Sequence, residues 1–273
     1  MTRIVHLSDT HFGTEREPVV QAVLSLVGEL QPDLVLLGGD ITQRARRSQF
    51  AAARRFVQSL QRPVLAVPGN HDIPLFNVLA RLVNPYGAYR RAMGAVLEPV
   101  VEIPGLLAIG VNSTRPGRHK NGQVDTAQIS RVAQRLRKAD PDALRLVLLH
   151  HPVRALVDSD QRNLLIGREQ AVPAWIDAGV DLVLGGHIHL PYVLPVQGEA
   201  QAAARQAWAV QAGTAVSHRV RGGISNSINV IEHSAGDAQH HCSVQRWDYL
   251  ADVQAFRRAS VQTLDWHRRP PLR

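Results

Sequence analysis

Residues of the types that bind metal ions follow five short apolar runs in the first two thirds of the chain. Each run leads into an aspartate, an asparagine or a histidine. The five segments are Ser8-Asp9-Thr10-His11, Gly38-Gly39-Asp40, Gly69-Asn70-His71-Asp72, His150-His151-Pro152 and Gly185-Gly186-His187-Ile188-His189. Carboxylate, amide and imidazole groups without a thiolate suit borderline divalent ions such as Mn, Fe, Zn or Co. The pattern therefore predicts a metal site assembled from several loops.

The apolar runs before these segments are short and rich in β-branched residues, which is typical of buried strands. They cover residues 3–7, 34–37, 64–67, 144–149 and 182–184. Amphipathic stretches between the runs predict helices at residues 19–30, 48–60, 125–136 and 169–178. The runs after Gly186 lack intervening helices and predict antiparallel strands that complete a sheet. Because ligands bind at the carboxyl ends of strands in α/β sheets, we expect the five segments to converge.

The number of candidate ligands bears on how many ions the site holds. Convergence would bring together two carboxylates, one amide and four imidazoles, which is more than one ion needs. A pair of ions about 3.5–4 Å apart that shares a bridging carboxylate would use all of them. Such a pair can hold the attacking and leaving oxygens of an in-line phosphoryl displacement. The residues therefore favour phosphoryl chemistry at two metal ions.

The ordered blocks Asp-x-His, Gly-Asp, Gly-Asn-His-Asp, His-His-Pro and Gly-His-x-His resemble those of the calcineurin-like metallophosphoesterase superfamily. They are most similar to its class III cyclic nucleotide phosphodiesterases, and they span residues 9–189 in the family's order. The resemblance implies an α/β fold, a two-sheet β-sandwich flanked by helices in four layers, α/β/β/α. It also implies a phosphodiesterase whose nucleophile is a hydroxide held between two divalent ions.

The resemblance further assigns the metal ligands to two ions. Those expected at the first ion are Asp9, His11 and His189. Those expected at the second ion are Asn70, His150 and His187. Asp40 would bridge the two ions.

Other residues of the same blocks are expected to face the substrate. His71 would stabilise charge on the phosphate or protonate the leaving oxygen, and Asn70 would lie beside it. Arg219 and Arg221 are candidate phosphate ligands, although a solvated turn is the favoured interpretation for both. His151 and Asp72 are adjacent to candidate site residues in the sequence. Whether they contact the metal ligands and orient them is left open.

The chain of 273 residues predicts one metallophosphoesterase domain over residues 1–250. Residues 73–96 carry a helical pattern that Pro85 and Gly87 interrupt, and they predict a flap over the site. Residues 251–273 end in a basic, proline-containing segment and predict a solvated C-terminal tail.

Composition and net charge bear on which partners the protein binds and where in the cell it lies. The net charge of +8 suits a phosphate-bearing partner, but an arginine-rich genome explains it equally well, since only two lysines occur. The single Cys242 excludes an internal disulfide, and together with the lack of a signal-peptide pattern it predicts a cytoplasmic protein. No apolar run reaches the roughly 18 residues of a spanning helix, so we expect no membrane span. A homo-oligomer is left open.

Among substrates, a small phosphodiester is expected, with a 3′,5′-cyclic nucleotide as first choice because the resemblance favours it. A nuclease is one alternative, with nucleic acid as a less favoured partner. The basic residues that support a nuclease are Arg44, Arg46, Arg47, Arg54 and Arg55. A lipid or glycerol phosphodiester hydrolase is another; the apolar flap residues that support it are Leu75, Phe76, Leu79 and Leu82. A non-catalytic, metal-stabilised interaction module is the least favoured.

Overall fold

The computed structural model of the chain describes residues 1–197, 206–235 and 240–264. Its strands form two six-stranded sheets that pack face to face. Helices cover the outer face of each sheet. The predicted α/β/β/α sandwich is therefore confirmed.

The first sheet combines parallel strands from the beginning of the chain with antiparallel strands from its later part. In spatial order its strands are β12 (Ala255–Leu264), β11 (His240–Leu250), β10 (Ser227–Ala235), β1 (Thr2–Leu7), β2 (Leu34–Leu37) and β3 (Val64–Ala66). β1, β2 and β3 run parallel to one another. The pairs β1–β10, β10–β11 and β11–β12 are antiparallel. The helices packed on its outer face are α1 (Glu17–Leu30), α2 (Arg47–Ser59) and, after the short α3 (Val78–Val83), α4 (Gly87–Met93).

The second sheet has four parallel strands between two antiparallel edges. In spatial order its strands are β4 (Val100–Ile103), β5 (Leu106–Gly110), β6 (Leu144–Leu148), β7 (Leu182–Gly185), β9 (Gln206–Gln211) and β8 (Tyr192–Gln197). The antiparallel pairs are β4 with β5 and β8 with β9. α5 (Thr126–Lys138) and α6 (Arg168–Asp177) pack on its outer face.

The core explains why the strand sequences are continuously apolar. In β2, Leu34 and Leu36 pack between the two sheets, whereas Val35 and Leu37 pack under the helices of the first sheet. Successive side chains of a strand point to opposite faces, so a strand that is covered on both faces needs apolar residues at every position. The rigid strands bring their carboxyl ends to fixed positions.

All five strands predicted before the ligand segments are present, as β1, β2, β3, β6 and β7. The four predicted helices are present as α1, α2, α5 and α6, and the side chain of Asp125 caps α5 by accepting a hydrogen bond from Gln128 N at 2.8 Å. The later strands differ from the prediction, because they divide between the two sheets and β9 pairs parallel to β7. Local sequence carries no information about which strand becomes a neighbour.

The C-terminal segment also differs from the prediction. Ala255–Leu264 form β12, which pairs antiparallel with β11 at the edge of the first sheet, rather than part of a basic tail. Most side chains of β12 are exposed, so its sequence lacks the apolar alternation that identifies a strand, and main-chain hydrogen bonds hold it instead. The remainder of the predicted tail, residues 265–273, lies outside the described residues.

Candidate metal centre

Main-chain and side-chain hydrogen bonds join the loops that leave the carboxyl ends of the parallel strands. Asp9 N donates to Gly39 O at 3.1 Å, and Gly186 N donates to His150 O at 2.9 Å. His150 Nδ1 donates to Gly38 O at 2.8 Å. Loops from both sheets are therefore fastened together at one edge of the sandwich, as the sequence predicts.

The backbone at the predicted ligands is strained. Among the described residues, nine non-glycine residues have a positive φ, and five of these nine are predicted metal ligands. The five are Asp9 (φ 53°), His11 (43°), Asp40 (47°), His187 (74°) and His189 (60°). Left-handed backbone is costly for residues with a β-carbon and persists where surrounding structure imposes it, most often at functional sites. The loops thus hold the ligand side chains in imposed positions.

The residues expected at the first ion lie together. His189 Nε2 is 3.3 Å from Asp9 Oδ1 and 3.3 Å from His11 Nε2. One ligand atom from each of the three residues lies within 4.8 Å of the others, a spacing that fits one metal ion. Asp9, His11 and His189 are therefore placed where they could hold one metal ion together.

Asp40 lies between two groups of imidazoles, and each of its oxygens faces a different one. Oδ1 is 3.3 Å from His150 Nε2, and Oδ2 is 3.7 Å from His11 Nε2. Its side chain is only 2% exposed. This is the arrangement that a bridging carboxylate requires.

The residues expected at the second ion have buried polar atoms without a hydrogen-bond partner. These atoms are Asn70 Oδ1, His150 Nε2 and both ring nitrogens of His187. Buried polar atoms that lack any partner are rare in proteins, because each costs the free energy of its lost hydration. A divalent cation satisfies amide oxygens and imidazole nitrogens together, so this donor set fits a metal ion.

Hydrogen bonds on the far side of the rings fix which nitrogen faces inwards. His150 Nδ1 donates to Gly38 O at 2.8 Å, and His189 Nδ1 donates to Arg219 O at 2.5 Å. A carbonyl oxygen only accepts, so Nδ1 carries the hydrogen and Nε2 directs its lone pair towards the cluster. Metal-binding histidines in proteins are oriented in this way.

Burial and neighbouring charges keep Asp40 and His187 in the forms that bind metal. Burial opposes ionisation of Asp40, but His150 and His71 outweigh it and hold the pKa of the carboxyl well below its usual value. Burial, followed by the nearby charge of His150, lowers the pKa of His187 to about 3. An ionised carboxylate and a neutral imidazole are the species that coordinate cations. For His150, burial opposes protonation, but Asp40 and Asp9 outweigh it and raise its pKa to about 9, so a bound cation would have to displace that proton.

His71 lies at the edge of this cluster. Its Nε2 is 4.0 Å from Asp40 Oδ2, and its side chain is 28% exposed. Its Nδ1 donates to Gln43 O at 2.9 Å, and Arg219 Nη1 donates to its Nε2 at 3.3 Å. His71 is thus oriented by the chain, with Nε2 directed into an open cavity.

Asp72 does not contact the ring of His71. Its carboxylate accepts hydrogen bonds from Ile41 N at 3.0 Å, Thr42 N at 2.8 Å, Thr42 Oγ1 at 2.9 Å and Gly69 N at 2.9 Å. Burial and the nearby Asp40 raise its pKa to about 6. Asp72 therefore joins the loop after β2 to the loop after β3.

His151 uses both of its ring nitrogens within the protein. Nε2 donates to Lys120 O at 2.9 Å, and Nδ1 is 2.8 Å from Ser113 Oγ. Its lone pair is therefore taken by the serine hydroxyl, although its ring lies close to that of His187. His151 supports the wall of the site.

A cavity of about 560 Å³ opens over the cluster. Its basic residues are His119, Lys120, Arg162, Arg219 and Arg221. Arg221 Nη1 donates to both oxygens of Asp160 at 2.9 Å, whereas Arg219 contacts His71 and Gln43.

Three of these basic residues were missed in the sequence. Asn70 Nδ2 donates to His119 O at 3.3 Å, so the loop after β5 reaches the metal cluster. That loop carries no motif, and β5 itself was not predicted. Recognition of β5 would have been the signal, because its carboxyl end lies at the same edge of the second sheet as that of β6.

The fold and this cluster together define a metallophosphoesterase. A family model described as calcineurin-like phosphoesterase matches residues 2–191. The chain belongs to this family, which uses divalent metal ions. The family predicted from the five sequence blocks is confirmed.

Curated relatives carry phosphodiesterase names. A Synechococcus sp. protein named "Probable cyclic nucleotide phosphodiesterase" is 30% identical over 66% of this chain and 67% of its own length. A Mycobacterium tuberculosis "cAMP/cGMP dual specificity phosphodiesterase" is 26% identical over 68% of this chain and 61% of its own. An Arcobacter nitrofigilis protein named "Probable glycerophosphodiester phosphodiesterase" is 27% identical over 68% of this chain and 71% of its own.

Solved structures with the same fold are more distant in sequence. A dimetal phosphatase from Danio rerio is 14% identical, with a TM-score of 0.65 over 97% of this chain and 99% of its own. Purple acid phosphatase from yellow lupin is 12% identical, with a TM-score of 0.62 over 90% of this chain and 51% of its own. At these identities the likeness shows the fold alone.

Proposed function

We propose that the chain is a metal-dependent phosphodiesterase that hydrolyses a small diester, with a 3′,5′-cyclic nucleotide as the first choice. The observation that carries this proposal is the position of Asp40, whose two oxygens face two separate groups of potential ligands. A shared carboxylate is the structural requirement for two ions that act on one phosphate.

We assign the ligands as the family resemblance implies. One ion would be held by Asp9, His11 and His189, and the other by Asn70, His150 and His187. Asp40 would bridge them, and Mn, Fe, Zn and Co are the candidate ions. Divalent ions at such a site supply Lewis-acid chemistry and lower the pKa of bound water.

The chain's own residues complete the reaction. His71 Nε2 is directed into the cavity by the bond from Nδ1 to Gln43 O. In the imidazolium form of His71, Nε2 carries a second hydrogen and can deliver it to the leaving oxygen, which leaves the neutral ring with its hydrogen on Nδ1. Arg219 Nη1 lies 3.3 Å from His71 Nε2 and can donate to a phosphate oxygen in its place. Asn70 lines the same cavity and would lie beside the scissile phosphate of a bound substrate.

The cavity supports a small anionic substrate. Its volume of about 560 Å³ falls within the range of pockets for small molecules. Lys120, Arg162 and Arg219 bring positive charge to its wall, which attracts a phosphodiester. The two relatives named as cyclic nucleotide phosphodiesterases favour a cyclic nucleotide over other diesters.

A glycerophosphodiester is the second candidate, because another relative is named for that activity. A nuclease receives less support than the sequence suggested. Arg44, Arg46 and Arg47 line a second cavity and not the one over the metal cluster, so they do not contact a phosphate bound there.

The test compares kcat/KM of the Mn²⁺-loaded protein for 3′,5′-cyclic AMP, a glycerophosphodiester and an activated aryl phosphodiester. A chelated sample is the control. We expect the cyclic nucleotide to reach the roughly 10⁴–10⁸ M⁻¹s⁻¹ of working enzymes. Turnover of the glycerophosphodiester in that range, with the cyclic nucleotide far below it, would replace the first choice by the second.

A further inference from the structure

The helix α3 has the reverse of the usual arrangement of polar and apolar side chains. Its apolar residues Val78, Leu79, Leu82 and Val83 are between 62% and 77% exposed. Its one charged residue, Arg81, is only 8% exposed. Helices on a globular protein normally bury the apolar side, so this outward apolar face is costly in water.

Arg81 fixes α3 in this orientation. Its guanidinium donates to Pro116 O at 2.7 Å, to Arg118 O at 2.9 Å and to Pro74 O at 3.1 Å. Three carbonyl acceptors hold the charged side inwards, so the apolar face cannot rotate into the protein without losing them. The exposure of that face is therefore built into the fold.

Positive charge lies beside the apolar face. A second cavity, of about 490 Å³, lies beside α3 and is lined by Phe76 together with Arg44, Arg46, Arg47 and Arg91. The guanidinium of Arg44 stacks 5.0 Å from the ring centroid of Phe76.

The part of the chain that contains both the apolar face and these arginines is rich in basic residues and poor in acidic ones. Residues 41–97 contain nine arginines and one acidic residue, Asp72, which is buried. An exposed apolar cluster set among cations is the combination that binds anionic lipid surfaces.

The sequence predicts residues 73–96 as a flap over the site, but none of them lines the cavity over the metal cluster. We propose that this segment, residues 73–96, docks the protein on an anionic lipid bilayer. Leu79, Leu82 and Phe76 would enter the headgroup boundary while the arginines contact lipid phosphates. A second copy of the chain fits less well, because a two-fold contact would bring the two sets of arginines together without acidic partners. Docking is independent of which diester the enzyme hydrolyses.

Docking would place the metal site beside the bilayer. Arg81 holds α3 against residues 116 and 118, and the next two residues, His119 and Lys120, line the cavity over the metal cluster. Gln43, which orients His71, directly precedes Arg44 of the second cavity. The catalytic cavity and the docking face are thus neighbours.

Co-sedimentation with phospholipid vesicles tests this proposal. We expect the full chain to bind vesicles that contain phosphatidylglycerol and not vesicles of phosphatidylcholine alone, and to bind less as salt rises. Leu79→Glu with Leu82→Glu should abolish binding. Arg46→Ala with Arg47→Ala should weaken it at least tenfold, since each arginine near the surface contributes about fivefold.

Matched controls lie elsewhere on the molecule. Val253→Glu alters an exposed valine at the turn between β11 and β12, and Arg137→Ala alters an exposed arginine of α5. Both should bind like wild type, and turnover of the aryl diester, measured for every variant, shows that each one is folded. Phe76→Ser is the second variant if the glutamates prevent folding.

Two outcomes would overturn the proposal. One is equal binding, or no binding, to anionic and neutral vesicles. The other is a lipid-free dimer that Leu79→Glu with Leu82→Glu converts to a monomer, which would assign the face to a second copy. Because aryl-diester turnover is measured in the same samples, failure of docking is distinguishable from failure of the proposed hydrolase.

Discussion

At the scale of single residues, the site depends on a carboxylate that contacts both halves of the ligand cluster. Asp40 follows β2 in left-handed backbone, and its oxygens face His11 on one side and His150 on the other. It also accepts a hydrogen bond from His71 N at 2.8 Å. One side chain therefore links the potential ligands, the candidate proton donor and the strained loop.

Asp40→Asn tests the bridging role. The amide presents one weaker oxygen where two ions need a shared carboxylate, so we expect loss of bound metal and of nearly all turnover. Elemental analysis of the purified variant and an aryl-diester assay check this. Asp177→Asn, at an exposed position in α6, is the matched control. Wild-type metal content and turnover in Asp40→Asn would contradict the assignment.

His71→Ala separates proton delivery from metal binding. The variant should retain its metal and lose about 10²–10⁴-fold in kcat, which is the usual contribution of a positioned acid or base. His241→Ala, on the exposed part of β11, controls for the loss of an imidazole. A fall in metal content would instead make His71 a ligand.

His6 provides a pH test of stability. It is fully buried in β1, neither ring nitrogen has a hydrogen-bond partner, and burial lowers its pKa from 6.5 to about 3. The folded protein excludes the charged form that the unfolded chain accepts, so stability is lost as pH falls below 6.5. Between pH 7 and pH 5 this loss is about 2 kcal/mol. Denaturant unfolding of chelated wild type and His6→Leu should differ in their pH dependence by that amount, and equal pH dependence would contradict the burial argument.

At the scale of elements, loops rather than strands hold the site together. Asp72 accepts four hydrogen bonds from two loops, and these bonds fix the position of Asp40 relative to Asn70. The 3-10 turn Asn70–Asp72 therefore has two sides. Asn70, the candidate ligand, and His71, the candidate proton donor, line the cavity, whereas Asp72 is buried and anchors the loops.

Asp72→Asn should destabilise the fold and loosen the site. The amide nitrogen would face backbone donors, so at least one buried donor loses its partner, at a cost of about 2–4 kcal/mol in the free energy of unfolding. Thermal and denaturant unfolding measure this, and metal affinity should fall with it. An unchanged free energy of unfolding would show that the four hydrogen bonds do not anchor the loops.

The elements also show how far sequence reasoning extends. Runs such as residues 34–37 reveal a strand buried on both faces, and the Gly-Asp and Gly-Asn-His-Asp blocks that follow such runs locate the site. The division of β8 to β11 between two sheets depends on partners distant in the chain. β12 is held by main-chain hydrogen bonds at an exposed edge of its sheet. The local pattern of apolar residues predicts neither the division of the strands nor the pairing of β12.

At the scale of the whole molecule, the two sheets pack on a shared apolar core, and at one edge their loops meet in a cluster of buried polar atoms. The described residues contain no helix long and apolar enough to cross a membrane. Buried atoms such as Asn70 Oδ1 and His187 Nε2 have no hydrogen-bond partner in the protein, and a cation would satisfy them.

Metal removal should therefore lower the stability of the whole domain. A ligand that binds only the folded state stabilises it by about 2.7 kcal/mol at a hundredfold excess over Kd. For a domain of this size that corresponds to a rise in Tm of roughly 5–10 °C on adding Mn²⁺ to chelated protein. Scanning calorimetry checks this. Mg²⁺, which imidazoles bind weakly, is the comparison ion and should raise Tm less. A Tm that Mn²⁺ leaves unchanged would contradict the fit of the site to a cation.

Stepwise addition of Mn²⁺ to metal-stripped protein, with turnover of an activated aryl phosphodiester followed at each step, tests most directly whether a two-ion site performs the hydrolysis. We expect turnover near zero in the stripped protein, a rise on addition, and a plateau at two Mn²⁺ per chain that Asp40→Asn never reaches. A plateau at one ion, or full turnover in the presence of chelator, would contradict the two-ion phosphodiesterase.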